Sequence, residues 1–200
     1  MNTCLQCLLS IPEINFYFSN SRYKYDKITK NSQITCEAFK EIILYYDKSN
    51  KSLKAPDSIF RICHSFLPPN EQHDCQEFLR RFLSKIQEEL NLNKKYSFPE
   101  KTNYKKIWEI YKENNPSVID NIFCGLMRSS VICNKCKSKS DTYDPFLDLS
   151  VPIKRKKNET LENCFESYFN EEFIDCEYKC ESCKKKTNVI SNLYLDYEKT

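Results

Sequence analysis

Gln72-His73-Asp74-Cys75-Gln76-Glu77-Phe78-Leu79 opens the stretch that decides the fold. From about Glu71 to Leu90, Cys75, Phe78, Leu79, Phe82, Leu83, Ile86 and Leu90 recur at helical spacing, and the opposite face is charged. That is the signature of an amphipathic helix laid on a core. Working back towards the N-terminus, three more apolar stripes have the same period. Met1, Cys4, Leu5, Leu8 and Leu9 form one, stopped by Ile11-Pro12; Ala38, Phe39, Ile42, Ile43 and Tyr46 form the next, with Thr35 as a candidate N-cap. The third starts near Pro56-Asp57, carries Ile59, Ile62, Cys63 and Phe66, and ends at Leu67-Pro68-Pro69.

Working forward, a short helix around Trp108 is followed by a change of period. Leu147, Leu149, Val151 and Ile153 alternate with Asp148, Ser150 and Pro152, which predicts a half-buried strand. A short helix follows Thr160, with Leu161, Cys164, Phe165, Tyr168 and Phe169 on its face, and Val189 to Tyr197 again has strand character. Helices first and strands second predict an α+β chain: a helical part over residues 1–118 and a β-rich part over 119–200.

Composition narrows the function classes. The 200 residues contain one glycine, Gly125, where average usage would supply about fourteen. Glycine-rich phosphate cradles need several positions without a Cβ and are excluded. Turns at positive φ must fall to Asn, Asp or Lys. A net charge of +3, from 31 basic and 28 acidic residues, argues for neither nucleic acid nor a membrane surface as partner. The basic runs Lys154-Arg155-Lys156-Lys157 and Lys184-Lys185-Lys186 read as solvated hairpin ends rather than a nucleic-acid footprint. No apolar run suits a membrane span and no signal peptide is visible, so an intracellular chain is expected, in the cytoplasm, the nucleus or both.

Twelve cysteines in a reducing compartment point to metal ligation, catalysis or burial before disulfides. Three C-x-x-C pairs occur, where chance alone supplies roughly 0.7. Cys4-Leu5-Gln6-Cys7 is apolar and helical, and Cys4 reads as a small buried hydrophobe. Cys133-Asn134-Lys135-Cys136-Lys137 and Cys180-Glu181-Ser182-Cys183-Lys184 instead have polar interiors and sit beside strand-like runs. Together Cys133, Cys136, Cys180 and Cys183 suit a closed, structural four-thiolate zinc site. Reduced turns without a metal, or a redox dithiol, are the alternatives. The two histidines, His64 and His73, read as surface or first-turn residues. His73-Asp74-Cys75 is no catalytic set, because sequence neighbours on a helix point about 100° apart.

Four segments taken together resemble a known family, the ubiquitin-specific proteases, which are papain-like cysteine deubiquitinases. Gln72 to Leu79 is similar to that family's QQDAQEFL helix start, and Met1-Asn2-Thr3-Cys4-Leu5-Gln6-Cys7-Leu8 to the MNSxLQCL segment of its Cys box. Phe123-Cys124-Gly125, Ser129 or Ser130, Cys133-x-x-Cys136, Ser140 and Phe146-Leu147-Asp148-Leu149-Ser150 resemble its fingers region leading into the palm. Leu161 to Phe173 followed by Cys180-x-x-Cys183 resembles the helix and second zinc knuckle of the same region.

The resemblance implies a papain-like fold of the ubiquitin-specific protease type: a thumb-like part over 1–118, and zinc-bearing fingers with the start of a palm over 119–200. It also implies thiol-dependent hydrolysis of the isopeptide bond at the ubiquitin C-terminus, with structural zinc and with ubiquitin or ubiquitinated proteins as partners. Asp74 and Gln76 are the positions it assigns to gripping the ubiquitin tail; helix N-capping and first-turn dipole compensation are the alternative reading of these residues. In the family's register the nucleophile falls two residues before Met1, and the His box and the oxyanion donor are not matched. No catalytic residue is therefore expected among these 200, the palm is expected to be incomplete, and the sequence is expected to be a piece of a longer gene. The alternative is a non-catalytic ubiquitin-binding or scaffold protein.

Overall fold

The computed structural model describes residues 2–24, 33–48, 57–69, 71–91, 96–99, 102–153 and 158–196. Met1, Pro56, the basic run 154–157 and Tyr197 lie outside them. Two compact units emerge: residues 1–96 with 112–122, and 97–111 with 123–200.

The first unit is helical. α1 (Asn2–Leu9) and α2 (Pro12–Ser19) flank Ile11-Pro12, so the proline that ends one helix also opens the next, at the position where its missing N–H is not needed. α2 has no place in the stripes read from sequence. α3 (Ile34–Lys48), α4 (Asp57–His64) and α5 (Cys75–Leu90) complete the layer. Their shared core is an aromatic chain. Phe18 meets Phe39 edge-on with centroids 5.0 Å apart, Phe39 meets Phe82 edge-on at 5.3 Å, and Phe82 stacks on Phe78 at 5.7 Å. All four rings are buried, and each such pair contributes about 0.5–1.5 kcal/mol beyond its area.

Two helix starts differ from the pattern reading. α5 begins at Cys75 rather than near Glu71, because the Asp74 carboxylate accepts from the amides of Gln76 at 2.7 Å and Glu77 at 3.1 Å. A side-chain cap ends the extended segment before it. Cys75 is accordingly exposed instead of lying on the buried stripe. Thr35 is not the cap of α3: it lies within the helix, and its amide and that of Cys36 donate to the Glu89 carboxylate at 2.8 and 2.9 Å. The end of α5 thus caps the start of α3 across 54 residues of sequence.

α6 (Tyr104–Asn114) follows, and α7 (Val118–Phe123) is held by a buried polar cluster. Asp120, 2% exposed, accepts from Gln87 Nε2 at 2.8 Å, Asn91 Nδ2 at 2.8 Å and Ser117 Oγ at 2.5 Å.

The second unit is built on an antiparallel sheet of β1 (Gly125–Cys133), β2 (Lys139–Phe146), β3 (Glu172–Lys179) and β4 (Lys186–Asp196), in the order β2-β1-β4-β3. α8 (Leu161–Tyr168) lies between β2 and β3 in sequence, and the Thr160 hydroxyl accepts from the Asn163 amide to cap it. Residues 147–153, expected as a strand, carry no ladder in the structure; the strand ends at Phe146. The alternation is still visible as half-buried Leu147, Leu149 and Val151, but Ile153 is 79% exposed. Alternation sets which way side chains face; it does not supply a hydrogen-bonded neighbour. Gly125 pairs with Phe146, and a Cβ there would sit 2.7 Å from Phe146 Cε1, so a larger residue would have to displace that ring; the φ of Gly125 makes no demand for glycine.

Candidate functional site

β1 pairs with β2 through a hairpin and with β4 in antiparallel register, Cys133 facing Val189. That register brings the β1–β2 turn and the β3–β4 turn to the same end of the sheet, and the four cysteines come with them. The Sγ atoms of Cys133, Cys136, Cys180 and Cys183 all lie within 4.8 Å of one another, with Cys133 to Cys183 at 3.9 Å and Cys136 to Cys180 at 3.6 Å. Four sulfurs at the zinc–thiolate distance of about 2.3 Å sit about 3.8 Å apart in a tetrahedron. The tetrad fits such an ion, and a closed set of four sulfurs leaves no position for substrate.

The two turns share one conformation. Lys137 donates its amide to the Cys133 carbonyl at 2.9 Å and Lys184 to the Cys180 carbonyl at 2.8 Å. Each lysine adopts φ 58°, the left-handed region usually left to glycine. In a chain with one glycine, lysine takes these positions and Asn158 another, as expected, while Ser21 at φ 56° departs from the expected Asn, Asp or Lys. The Cys136 amide reaches Cys133 Sγ at 3.5 Å, so the turn directs a backbone donor at a sulfur. Ser138, which no sequence signal marked, places its hydroxyl 3.0 Å from Cys136 Sγ and 3.3 Å from Cys180 Sγ. That hydroxyl is the main cause that draws the Cys180 thiol down to about 6 and lowers Cys136 as well. Cys183 is pushed up to about 11: the Lys185 amide pulls it down, but desolvation and its three sulfur neighbours outweigh that pull. Thiols this close give up their protons unequally until a cation neutralises them.

The second group of residues singled out by the sequence lies at the start of α5. Asp74 and Gln76 are both exposed there. Asp74 uses Oδ1 for the cap, and a carboxylate has a second oxygen with which to meet a guanidinium. His73 places Nε2 2.7 Å from the Pro68 carbonyl oxygen, and the His64 ring lies 6.0 Å from that of Phe60. Cys4 is 5% exposed inside α1, with Sγ 3.9 Å from the Cys75 carbonyl oxygen, and burial pushes its thiol up. Its environment is the reverse of one that activates a nucleophile.

Residues 1–193 match the family model described as ubiquitin carboxyl-terminal hydrolase. Human ubiquitin carboxyl-terminal hydrolase 15 is 30% identical over 178 residues, covering 81% of this chain and 18% of its own. Ubiquitin carboxyl-terminal hydrolase 36 of Drosophila grimshawi is 33% identical over 207 residues, covering 98% of this chain and 16% of its own. The chain therefore spans about a fifth of the length of these relatives. Among solved structures, a yeast SAGA DUB module superposes with a TM-score of 0.71 at 23% identity, and a SAGA DUB module bound to ubiquitin aldehyde with 0.69 at 23%. Each covers 98% of this chain and 42% of the other, a likeness of fold.

Proposed function

We propose that this chain, which belongs to the ubiquitin carboxyl-terminal hydrolase family and has the ubiquitin-specific protease fold, is the ubiquitin-gripping, zinc-pinned portion of a deubiquitinase. In this reading residues 1–118 are thumb-like, and residues 119–200 are fingers with the start of a palm. The observation that carries it is the pairing of two features in one chain of that family. One is the exposed Asp74 and Gln76 at a side-chain-capped helix start; the other is the tetrad of Cys133, Cys136, Cys180 and Cys183 joining two hairpins.

The whole enzyme would act by acyl transfer: a cysteine thiolate attacks the isopeptide carbonyl after the last ubiquitin residue, the lysine amine departs, and water cleaves the thioester. The part assigned to these residues is binding and orientation. Asp74 accepts from an arginine of the extended tail, and Gln76 pairs with its backbone. Cys133, Cys136, Cys180 and Cys183 would hold a structural zinc ion, which would tie the turn at 133–138 to the turn at 180–185.

Burial of Cys4 and the raised thiol favour a second statement: by itself the 200-residue chain binds ubiquitin without turning it over, as a scaffold would. The test is a titration of the purified chain with ubiquitin, alongside a fluorogenic ubiquitin C-terminal amide. Binding that weakens in Asp74→Ala, with one equivalent of zinc in the protein and no turnover, is the expected result. Equal affinity of Asp74→Ala and wild type, in a variant that stays folded, would remove the tail-binding assignment. Turnover lost in Cys4→Ser would overturn the exclusion of Cys4.

A further inference from the structure

The two cysteine turns match residue for residue, and one side chain breaks the match. Cys133-Asn134-Lys135-Cys136-Lys137-Ser138 and Cys180-Glu181-Ser182-Cys183-Lys184-Lys185 close in the same way: the Cys133 amide donates to the Ser138 carbonyl at 2.9 Å, and the Cys180 amide to the Lys185 carbonyl at 3.1 Å. Ser138 and Lys185 are therefore equivalent positions. Lys185 is exposed, whereas Ser138 is half-buried and turns its hydroxyl towards the sulfurs, 3.0 Å from Cys136 of its own turn and 3.3 Å from Cys180 of the other. Those two sulfurs are 3.6 Å apart, so one oxygen stands at contact distance from a ligand of each turn. The cations of the turns, Lys137, Lys184 and Lys185, are all exposed, where water and salt screen their charge. The hydroxyl acts at contact, where that screening does not reach.

We propose that Ser138 is a positioning residue of the metal centre: its hydroxyl donates into the gap between the Cys136 and Cys180 thiolates, holds the two turns in ligating geometry and raises the affinity for the ion. The inference rests on the zinc reading of the tetrad. A sulfur must lose its proton to ligate, and a thiolate has no hydrogen to give. In the metal-bound state the hydroxyl is therefore the donor and the sulfurs are the acceptors. Four thiolates around one divalent ion leave two negative charges in excess, and a hydrogen bond at the sulfur draws off part of that charge. Because the oxygen belongs to the turn at 133–138 and reaches a sulfur of the turn at 180–185, the same bond also resists separation of the turns. Lysine at the equivalent position carries its donors on a long flexible stem and is not fixed between two sulfurs.

The experiment loads the 200-residue chain with zinc, measures its affinity by competition with a chromophoric chelator, and repeats the titration with cobalt(II), whose absorption reports the ligand set. Ser138→Ala is expected to lose about 10–100-fold in affinity. Ser138→Thr, which keeps the hydroxyl, should stay near wild type, and Lys185→Ala should leave the affinity unchanged. With cobalt, Ser138→Ala should keep the d–d bands of a tetrahedral four-sulfur site while its thiolate-to-metal charge-transfer band moves to lower energy, because the sulfurs have lost a donor. Equal affinity of Ser138→Ala and wild type would overturn the inference and leave the zinc reading standing. An equal loss in Ser138→Thr and Ser138→Ala, or a Ser138→Ala whose tetrahedral cobalt spectrum is gone, would show that the site needs the shape of serine and not its hydrogen bond, and would overturn it too. A wild-type chain that takes up no zinc would remove the zinc reading, and the inference with it.

Discussion

Asp120 gathers a buried polar cluster in the helical unit. Its carboxylate takes donors from Gln87, Asn91 and Ser117, and Asn91 Oδ1 in turn accepts from the Ser117 amide at 3.0 Å. Every one of these partners is a donor, so Asp120→Asn turns an amide NH2 towards groups that are themselves donors. The expected cost is about 2–3 kcal/mol, read as a lower urea midpoint at unchanged slope. No periodicity marks such a residue: Asp120 reads as a first-turn acid, and only folding brings Gln87, Asn91 and Ser117 around it. Asp74 is the opposite case, because its capping role is local and visible in sequence. The cap and the proposed tail contact can be separated by substitution. Asp74→Asn keeps the cap and should change stability by only a few tenths of a kcal/mol. If the carboxylate also meets an arginine of ubiquitin, the same variant should lose about tenfold in ubiquitin affinity by calorimetric titration. Unchanged affinity would confine Asp74 to capping.

Among the elements, α3 and the two cysteine turns depend on partners that differ in range. The start of α3 borrows its cap from Glu89, near the end of α5. Glu89→Ala leaves the Thr35 and Cys36 amides without that carboxylate in a site where Thr35 is 3% exposed. A loss of about 1–2 kcal/mol in chemical denaturation is expected, with exchange of those two amides accelerating first. The pattern reading placed the cap at Thr35 because a threonine ahead of an apolar stripe is the usual local solution; a cap arriving from 54 residues away leaves no local trace. The backbone closure of each cysteine turn is local, Lys137 to Cys133 and Lys184 to Cys180, and both turns show strain where glycine would be at ease. Lys184→Gly at φ 58° should stabilise the β3–β4 turn by about 0.5–1 kcal/mol, measured as a rise in the thermal midpoint of the metal-loaded chain. A fall would mean that the lysine side chain contributes more than its backbone conformation costs.

At the level of the whole molecule, two compact units share one chain, and the four-cysteine cluster that could hold a metal ion lies within one of them. Chelation should therefore act unevenly. Removing the ion leaves four thiols at one end of the sheet, and amide exchange in β1 and β4 should accelerate while α5, with its buried aromatic chain, keeps its protection. Uniform loss of protection would show that the units unfold together. The amino-acid sequence by itself determined the class of the chain, the α5 stripe of Phe78, Phe82, Leu83, Ile86 and Leu90, the short helix that follows Thr160, and the four cysteines of the polar C-x-x-C turns, whose sulfurs come within 4.8 Å of one another. Each is written in side-chain spacing over a few residues, where helix period and turn chemistry act directly. Tertiary structure alone decided that residues 147–153 form no ladder, that Glu89 caps α3, that Ser138 lies between two sulfurs, and that Cys4 meets Cys75. These depend on which segments become neighbours, and that follows from strand register and helix packing over separations that no local pattern encodes.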